Sequence, residues 1–200
     1  MKNEKTARRT VRAAQVAETL CAAKRVLITG HVRPDGDSLG GMIALAHLLN
    51  GAGIRAVAVA ARTGLGGPGF LTGVEKLLAP EEAAVRSFDL MVSLDCGAFD
   101  RLPEALQPLA SRLPLLNIDH HLTNTLFGTL NWIDGRASST GEMLWRLARK
   151  AGWRLDTVSA EALWVALITD TGRFAHDQTT PATLRCGADL LRYGVRTAFI

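Results

Sequence analysis

The chain has 200 residues, of which 48% are hydrophobic and 21% charged, with a formal net charge of +4 and an isoelectric point near 9.3. This length suits one large domain, or one domain with part of a second, and no apolar run approaches the roughly 18 residues that a membrane span needs. Three widely spaced cysteines without a CxxC pair argue against a disulfide framework or a zinc knuckle. We therefore expect a cytoplasmic protein whose mild positive charge either attracts phosphorylated substrates or serves solubility alone.

The first third of the chain predicts helix, strand, helix and strand, in that order. The predicted ranges are 11–24 for a helix, 25–29 for a buried strand, 42–49 for a helix and 54–60 for a second strand. A glycine-rich stretch follows at 64–69. A proline interrupts it and its spacing is not G-x-G-x-x-G opening a helix, so a flexible connector or a lid is favoured over a phosphate cradle.

The rest of the chain continues the alternation. Strands are predicted over 88–94, 113–118 and within 125–133, and helices over 74–78, 100–111, 138–151, 158–169 and 181–191. Strands that alternate with helices indicate an α/β fold with a doubly wound, mainly parallel five-stranded sheet flanked by helices.

Side chains that bind metals follow the predicted strands at their carboxyl ends. They are His31, Asp35 and Asp37 after the first strand, Asp95 after the third, and Asp119, His120 and His121 after the fourth, joined by Asp170 at a helix end. The carboxyl ends of parallel strands share one edge, where ligands bind. Imidazole and carboxylate ligands without cysteine favour manganese or magnesium over structural zinc. The set is large enough for two divalent cations about 3.5 to 4 Å apart that share a bridging carboxylate.

Each of these residues also has a purely structural alternative. Asp35 and Asp37 are typical of an Asx turn and a helix cap. His120 and its neighbour His121 are compatible with exposed surface, and Asp170 with a solvent-facing helix end. Because all of them fall at strand or helix ends, we interpret them together as ligands; a carboxylate at a helix C-terminus in particular is unfavourable without a cation.

Four basic residues outside that set have their own interpretations. His47 lies within an apolar helix and is predicted to be structural, whereas His176 is left open between the substrate channel and the exposed surface. Arg136 and Arg173 are candidates for contacts with substrate phosphate.

Four blocks of sequence, in order over nearly the whole chain, resemble the DHH phosphoesterase superfamily. They are residues 30–40, 93–95, 117–121 and 168–174. The Pro-Asp-Gly-Asp and Asp-Thr-Gly-x-Phe motifs within them, together with 138–142 and 179–181, resemble one branch. That branch is the bacterial oligoribonucleases (nanoRNases), which also dephosphorylate 3′-phosphoadenosine 5′-phosphate.

The resemblance implies a role for each candidate residue. One cation would be held by His31, Asp35 and Asp95. The second would be held by Asp37, Asp95, His120 and Asp170, so that Asp95 bridges the two. His121 would contact substrate phosphate and stabilise the transition state, or help to protonate the leaving oxygen, and Asp119 would orient the histidines. The implied activity is cleavage of phosphoester bonds in short oligoribonucleotides and in 3′-phosphoadenosine 5′-phosphate, by a hydroxide that two cations activate. Manganese is expected and magnesium is the alternative.

The resemblance also sets expectations for domains and partners. Residues 1–24 are expected to be an N-terminal helix, 25–195 the catalytic domain, and 196–200 the start of a linker to a C-terminal substrate-binding domain that is missing here. Expected partners are short RNA or nucleotides, without a membrane or stable duplex nucleic acid, and a homodimer is left open. The alternatives are hydrolysis of cyclic dinucleotides or polyphosphate, or a catalytically inactive nucleotide-binding module that lacks its second domain.

Overall fold

The computed structural model describes residues 9–61 and 70–199, so the glycine-rich stretch at 64–69 lies outside the described residues. Its centre is a parallel sheet with strand order β1-β6-β5-β4-β2-β3. The strands are β1 (Arg9–Thr10), β2 (Arg25–Thr29), β3 (Arg55–Val59), β4 (Leu90–Leu94), β5 (Leu115–Asp119) and β6 (Leu130–Ile133). The predicted α/β class and parallel sheet are confirmed. The two-residue β1 was not predicted, because two residues are too few to show a strand pattern.

Seven α-helices accompany the sheet in the described ranges. They are α1 (Ala13–Ala22), α2 (Gly36–Gly51), α3 (Pro80–Ala84), α4 (Gln107–Ala110), α5 (Thr140–Ala151), α6 (Thr157–Asp170) and α7 (Pro181–Leu191). None of the helices in these ranges combines the length and apolarity needed to cross a lipid bilayer.

The sheet separates two hydrophobic clusters. Val26 and Ile28 of β2 face the larger one with helices α1, α2, α5, α6 and α7, whereas Leu27 between them faces the smaller one with α3 and α4. Strands covered on both faces are expected to be almost continuously apolar. All five residues of β4 are indeed buried.

The strand order places a topological switch point between β2 and β4. From β2 the chain moves outward to β3, then returns to β4 on the other side of β2 and continues through β5 to β6. Ligands of doubly wound sheets bind outside the strand ends at such a point. The loops after β2 and β4 carry His31 and Asp95, so the fold places both at the switch point.

Four helical predictions differ from the structure. The N-terminal helix expected over 1–24 is Ala13–Ala22 in the described residues, because Arg9–Thr10 pair with β6 as a strand, and residues 1–8 lie outside the described residues. The helix predicted over 74–78 is a single 3₁₀ turn, Val74–Lys76. Helix α2 begins at Gly36, six residues before the predicted start, because the Asp35 side chain caps it by accepting a hydrogen bond from the Ser38 amide. The helix predicted over 100–111 is instead two 3₁₀ turns, Phe99–Arg101 and Glu104–Leu106, followed by the single-turn α4. Pro103 accounts for the break, since proline disfavours helical backbone in the residue before it.

Candidate metal centre

The predicted ligands converge beyond the carboxyl ends of β2, β4 and β5. The donor atoms form three groups, and within each group all the atoms lie within 4.8 Å of one another. The first group is His31, Asp35 and Asp95, the second is Asp37, His120 and Asp170, and the third is Asp95 with Asp119, His120 and His121. The structure therefore brings all eight candidate ligands to one place.

Asp95 lies at the centre of these groups and is only 2% exposed. Its Oδ2 is 3.6 Å from His31 Nε2, and its Oδ1 is 3.8 Å from His120 Nε2 and 3.5 Å from His121 Nδ1. Oδ1 has no hydrogen-bond partner among the described residues. A buried carboxylate oxygen without a donor is unfavourable unless something positive lies beside it.

The backbone of Asp95 is also unusual. Its φ is +51°, in the left-handed region that costs a residue with a Cβ roughly 1–2 kcal/mol. Its amide donates to the Ile118 carbonyl at 3.0 Å, which ties the strained residue to the neighbouring strand. Strain of this kind is found where the surrounding structure holds a functional side chain in place.

His31 directs one ring nitrogen at the cluster. Its Nδ1 lies 2.8 Å from the Val32 carbonyl oxygen, which only accepts, so Nδ1 donates the proton. Nε2 is the ring nitrogen that faces the cluster, and it lies 3.9 Å from Asp35 Oδ2. Asp35 uses its other oxygen, Oδ1, to cap α2, so its structural and ligand interpretations are compatible.

Asp37, His120 and Asp170 form the other side of the cluster. His120 Nε2 lies 2.8 Å from Asp170 Oδ2 and 3.7 Å from Asp37 Oδ2. Despite the short distance to Asp170, His120 Nε2 makes no hydrogen bond of acceptable geometry within the described chain. Asp170 therefore faces the cluster, not the solvent.

Asp119 belongs to the third group of donor atoms and supports His121. Its Oδ1 accepts from the His120 amide and from His121 Nδ1, both at 2.8 Å, and its Oδ2 accepts from Asn124 Nδ2 at 2.6 Å. Burial alone would raise the pKa of Asp119, but the hydrogen bonds from His121 and Asn124 outweigh it and lower the pKa. Asn124 was not predicted, and its position in a turn after the histidine pair was the only local signal.

The cluster accumulates negative charge that its own histidines only partly offset. Burial, followed by the charges of Asp95 and Asp170, raises the pKa of Asp37 well above its usual range. Burial also raises the pKa of Asp95 to about 6, although the nearby His31 ring lowers it; the charge of Asp35 adds to the rise. The nearby carboxylates of Asp35 and Asp95 in turn raise the pKa of His31 to about 10. The site thus favours positive charge at its centre.

The donor set fits divalent cations. It consists of imidazole nitrogens and carboxylate oxygens without a thiolate, which suits manganese or magnesium. Distances of 3.5–3.9 Å between donor atoms are too long for hydrogen bonds. They are compatible with two atoms that share one ion at about 2.1 Å each. Asp95 offers one oxygen to each side, as a bridging ligand must.

The remaining candidates lie outside the cluster. The Arg136 side chain is 93% exposed and pairs with Asp134, and Arg173 is exposed with a φ of +56°. Neither makes an ion pair with the ligands in the described part of the chain. His47 pairs with Asp156 at 2.7 Å. His176 is exposed, and its Nδ1 donates to the backbone carbonyl of Asp170.

Comparisons with known proteins agree with the resemblance stated above. The family model "DHH family, N-terminal domain" matches residues 25–169. The bifunctional oligoribonuclease and PAP phosphatase of Bacillus subtilis is 28% identical over 182 residues, covering 90% of this chain and 56% of that protein. Its namesake from Thermus thermophilus is 34% identical over 191 residues, covering 92% and 55%. The chain thus spans about half the length of these curated relatives.

Two solved structures share the fold. An exopolyphosphatase-related protein from Bacteroides fragilis superimposes with a TM-score of 0.82 at 24% identity, covering 93% of this chain and 57% of that one. A putative family II inorganic pyrophosphatase from Methanococcus jannaschii gives a TM-score of 0.63 at 20% identity, covering 86% and 56%.

Proposed function

The chain belongs to the DHH family, and on that premise we propose that it is a divalent-cation-dependent phosphoesterase. Its proposed substrates are short oligoribonucleotides and 3′-phosphoadenosine 5′-phosphate. The observation that carries the proposal is the unpartnered, buried Oδ1 of Asp95, which lies at 3.5–3.8 Å from two histidine nitrogens.

We assign the ligands to two cations that share Asp95. His31, Asp35 and Asp95 would hold one, and Asp37, Asp95, His120 and Asp170 the other. The first two groups of donor atoms support this assignment for every residue except Asp95 in the second set, where the support is the 3.8 Å distance from its Oδ1 to His120 Nε2. When bound, the cations would supply an activated water and neutralise charge on the phosphoryl oxygens. Manganese is the proposed metal, with magnesium as the alternative.

His121 is the proposed contact for the substrate phosphate. Its side chain is 47% exposed, so that it can reach a substrate. The hydrogen bond to Asp119 raises its pKa to about 9, which favours the imidazolium form. A fixed imidazolium can stabilise charge on phosphoryl oxygens or donate a proton to the leaving oxygen. Asp119 holds the ring orientation, and Asn124 holds Asp119.

The substrate proposal is supported by the relatives. Both bacterial proteins reported above are named as oligoribonucleases and PAP phosphatases, and they match at least 90% of this chain. The net positive charge favours anionic substrates. We propose a cytoplasmic location, where short RNA fragments would be available.

The test is hydrolysis in the presence of manganese. The chain is expected to release phosphate from 3′-phosphoadenosine 5′-phosphate and mononucleotides from a labelled dinucleotide or trinucleotide. Elemental analysis should find two divalent ions per chain. Asp95→Ala should abolish turnover, whereas the control His47→Ala should keep it near wild type. Turnover of neither substrate, or equal losses in the two variants, would contradict the proposal.

A further inference from the structure

A buried glutamate outside the metal centre shares a helix end with one of the proposed ligands. Glu142 lies in the first turn of α5 and is 1% exposed. Its Oε2 accepts three hydrogen bonds: from the Ser138 amide at 3.2 Å, from Ser138 Oγ at 2.7 Å, and from Thr183 Oγ1 at 3.1 Å. The Arg146 guanidinium is 3.9 Å away. A carboxylate buried with so distant a cation adds little stability by itself.

The contacts of Glu142 fix the amino end of α5. Ser139 caps this helix, because its Oγ accepts from the Glu142 amide at 3.0 Å. The Glu142 side chain reaches back past this cap to Ser138 and across to α7 through Thr183. On the opposite side, α5 is packed against α6 so closely that a Cβ on Gly141 would lie 2.6 Å from the Ala166 Cβ. The amino end of α5 is therefore held from two directions.

The two amide groups at this helix end hold Asp37. The Thr140 amide donates to Asp37 Oδ2 at 2.7 Å, and the Gly141 amide donates to Oδ1 at 2.8 Å. Asp37 is fully buried, and its Oδ2 lies 3.7 Å from His120 Nε2. The direction in which the Asp37 carboxylate faces the cluster is thus set by the position of these two amides.

We propose that Glu142 is a positioning residue for the cation that Asp37 helps to hold, acting through the amino end of α5. The proposal rests on the proposed function, in which Asp37 binds one of two cations. Without the hydrogen bonds from Ser138 and Thr183, the amides of Thr140 and Gly141 are held only by the Ser139 cap and the packing against α6, so that the orientation of Asp37 is less well fixed. Residues that orient a metal ligand typically change metal affinity 10–100-fold when they are replaced.

The test is manganese binding by Glu142→Ala, which removes the Oε2 that accepts all three hydrogen bonds. We expect binding at the Asp37 side to weaken at least tenfold while the His31 side keeps its affinity. In electron paramagnetic resonance, the spectrum of a coupled manganese pair should give way to that of an isolated ion. The manganese concentration for half-maximal turnover should rise, with kcat recovering at saturation.

The matched control is Glu161→Ala. Glu161 lies on α6, away from the cluster, and is also buried, at 5% exposure. Its Oε1 lies 2.6 Å from Arg196 Nε. This variant loses a buried carboxylate as well, but it should bind manganese like the wild type. Equal weakening in the two variants, or wild-type binding by Glu142→Ala, would overturn the proposal.

Ser138→Ala provides a second, milder variant that removes only the 2.7 Å hydrogen bond. It should weaken binding of the same cation, but by a smaller factor than the replacement of Glu142 does. If Glu142→Ala does not fold, unchanged binding by Ser138→Ala overturns the proposal. A wild type that binds two manganese ions but hydrolyses nothing refutes the activity alone, and the titrations still decide the role of Glu142. A wild type that binds no manganese refutes both.

Discussion

Replacing Asp95 by asparagine is expected to stabilise the metal-free protein while it removes metal binding. Asp95 is 2% exposed, and its pKa is raised from 3.8 to about 6, even with the favourable effect of the nearby His31 ring included. Keeping it ionised at neutral pH therefore costs about 3 kcal/mol of folding free energy. Asparagine has no charge to bury and tolerates the φ of +51° at least as well.

The gain in unfolding free energy should be about 2–3 kcal/mol, or a rise in Tm of roughly 4–12 °C for a chain of this size. Thermal unfolding in a chelating buffer at pH 7.5 measures it. Added manganese should then raise the Tm of the wild type and leave Asp95→Asn unchanged. Below about pH 4 the two proteins should converge, because Asp95 is then protonated in the folded state and increasingly so in the unfolded state.

Asp134→Asn is the control for this experiment. Burial alone would raise the pKa of Asp134, but hydrogen bonds from Arg136 and Arg146 lower it, so this carboxylate should stabilise the fold and its loss should lower the Tm. If Asp95→Asn also melts below the wild type in the chelating buffer, the Asp95 carboxylate is not under electrostatic strain and the reasoning fails.

Three further predictions concern the pH profile and two neighbours of the cluster. Without metal, the Tm should fall as pH rises from about 5 to 9. Folding raises the pKa of Asp95 to about 6 and that of His31 to about 10, so the folded state binds more protons than the unfolded state in this window. A Tm that rises over that window contradicts this. Gly141→Ala should cost about 1–3 kcal/mol in denaturant unfolding, because its Cβ collides with α6; an unchanged midpoint would show that α5 shifts freely. Asn124→Ala removes the 2.6 Å donor to Asp119 and should lower kcat more than tenfold. Metal content measured by elemental analysis should stay the same, and a loss of metal would place Asn124 among the residues that hold the cations.

The sequence was sufficient where the signals are local. The predicted bounds of β2 and α7 match the structure, Arg25–Thr29 and Pro181–Leu191. An apolar run marks the strand, and a Thr-Pro pair marks the start of the helix. The strand ends were enough to predict which side chains converge, since parallel strands share an edge.

The sequence did not predict the early start of α2, because the glycines near its amino end are explained by close packing against a helix that is distant in the chain. Gly36 and Gly40 are weak helix formers in isolation. In the structure, a Cβ on Gly40 would collide with the Ala162 carbonyl of α6, and one on Gly36 with the Thr169 side chain. These glycines allow α2 to pack closely against α6, which lies more than a hundred residues further along the chain.

The contacts that hold the candidate ligands in place could not be predicted from the sequence either. The amides that hold Asp37 are 103 and 104 residues further along the chain, and the contact between Glu142 and Thr183 joins two different helices. Such pairs depend on tertiary packing, which local sequence patterns do not encode. The assignment of each ligand to a particular cation stays a prediction for the same reason.

The short strand β1 has a consequence for any attempt to shorten the protein. It pairs with β6 through Arg9 and Thr10, and the residues after it contribute Val11, Val16 and Leu20 to the main core. A fragment trimmed to residues 25–169, the range of the family match, would expose the edge of β6 and this apolar surface. Exposed, unpaired strand edges promote aggregation. The folding unit therefore extends beyond the family match on its amino-terminal side, and shortened fragments should retain β1.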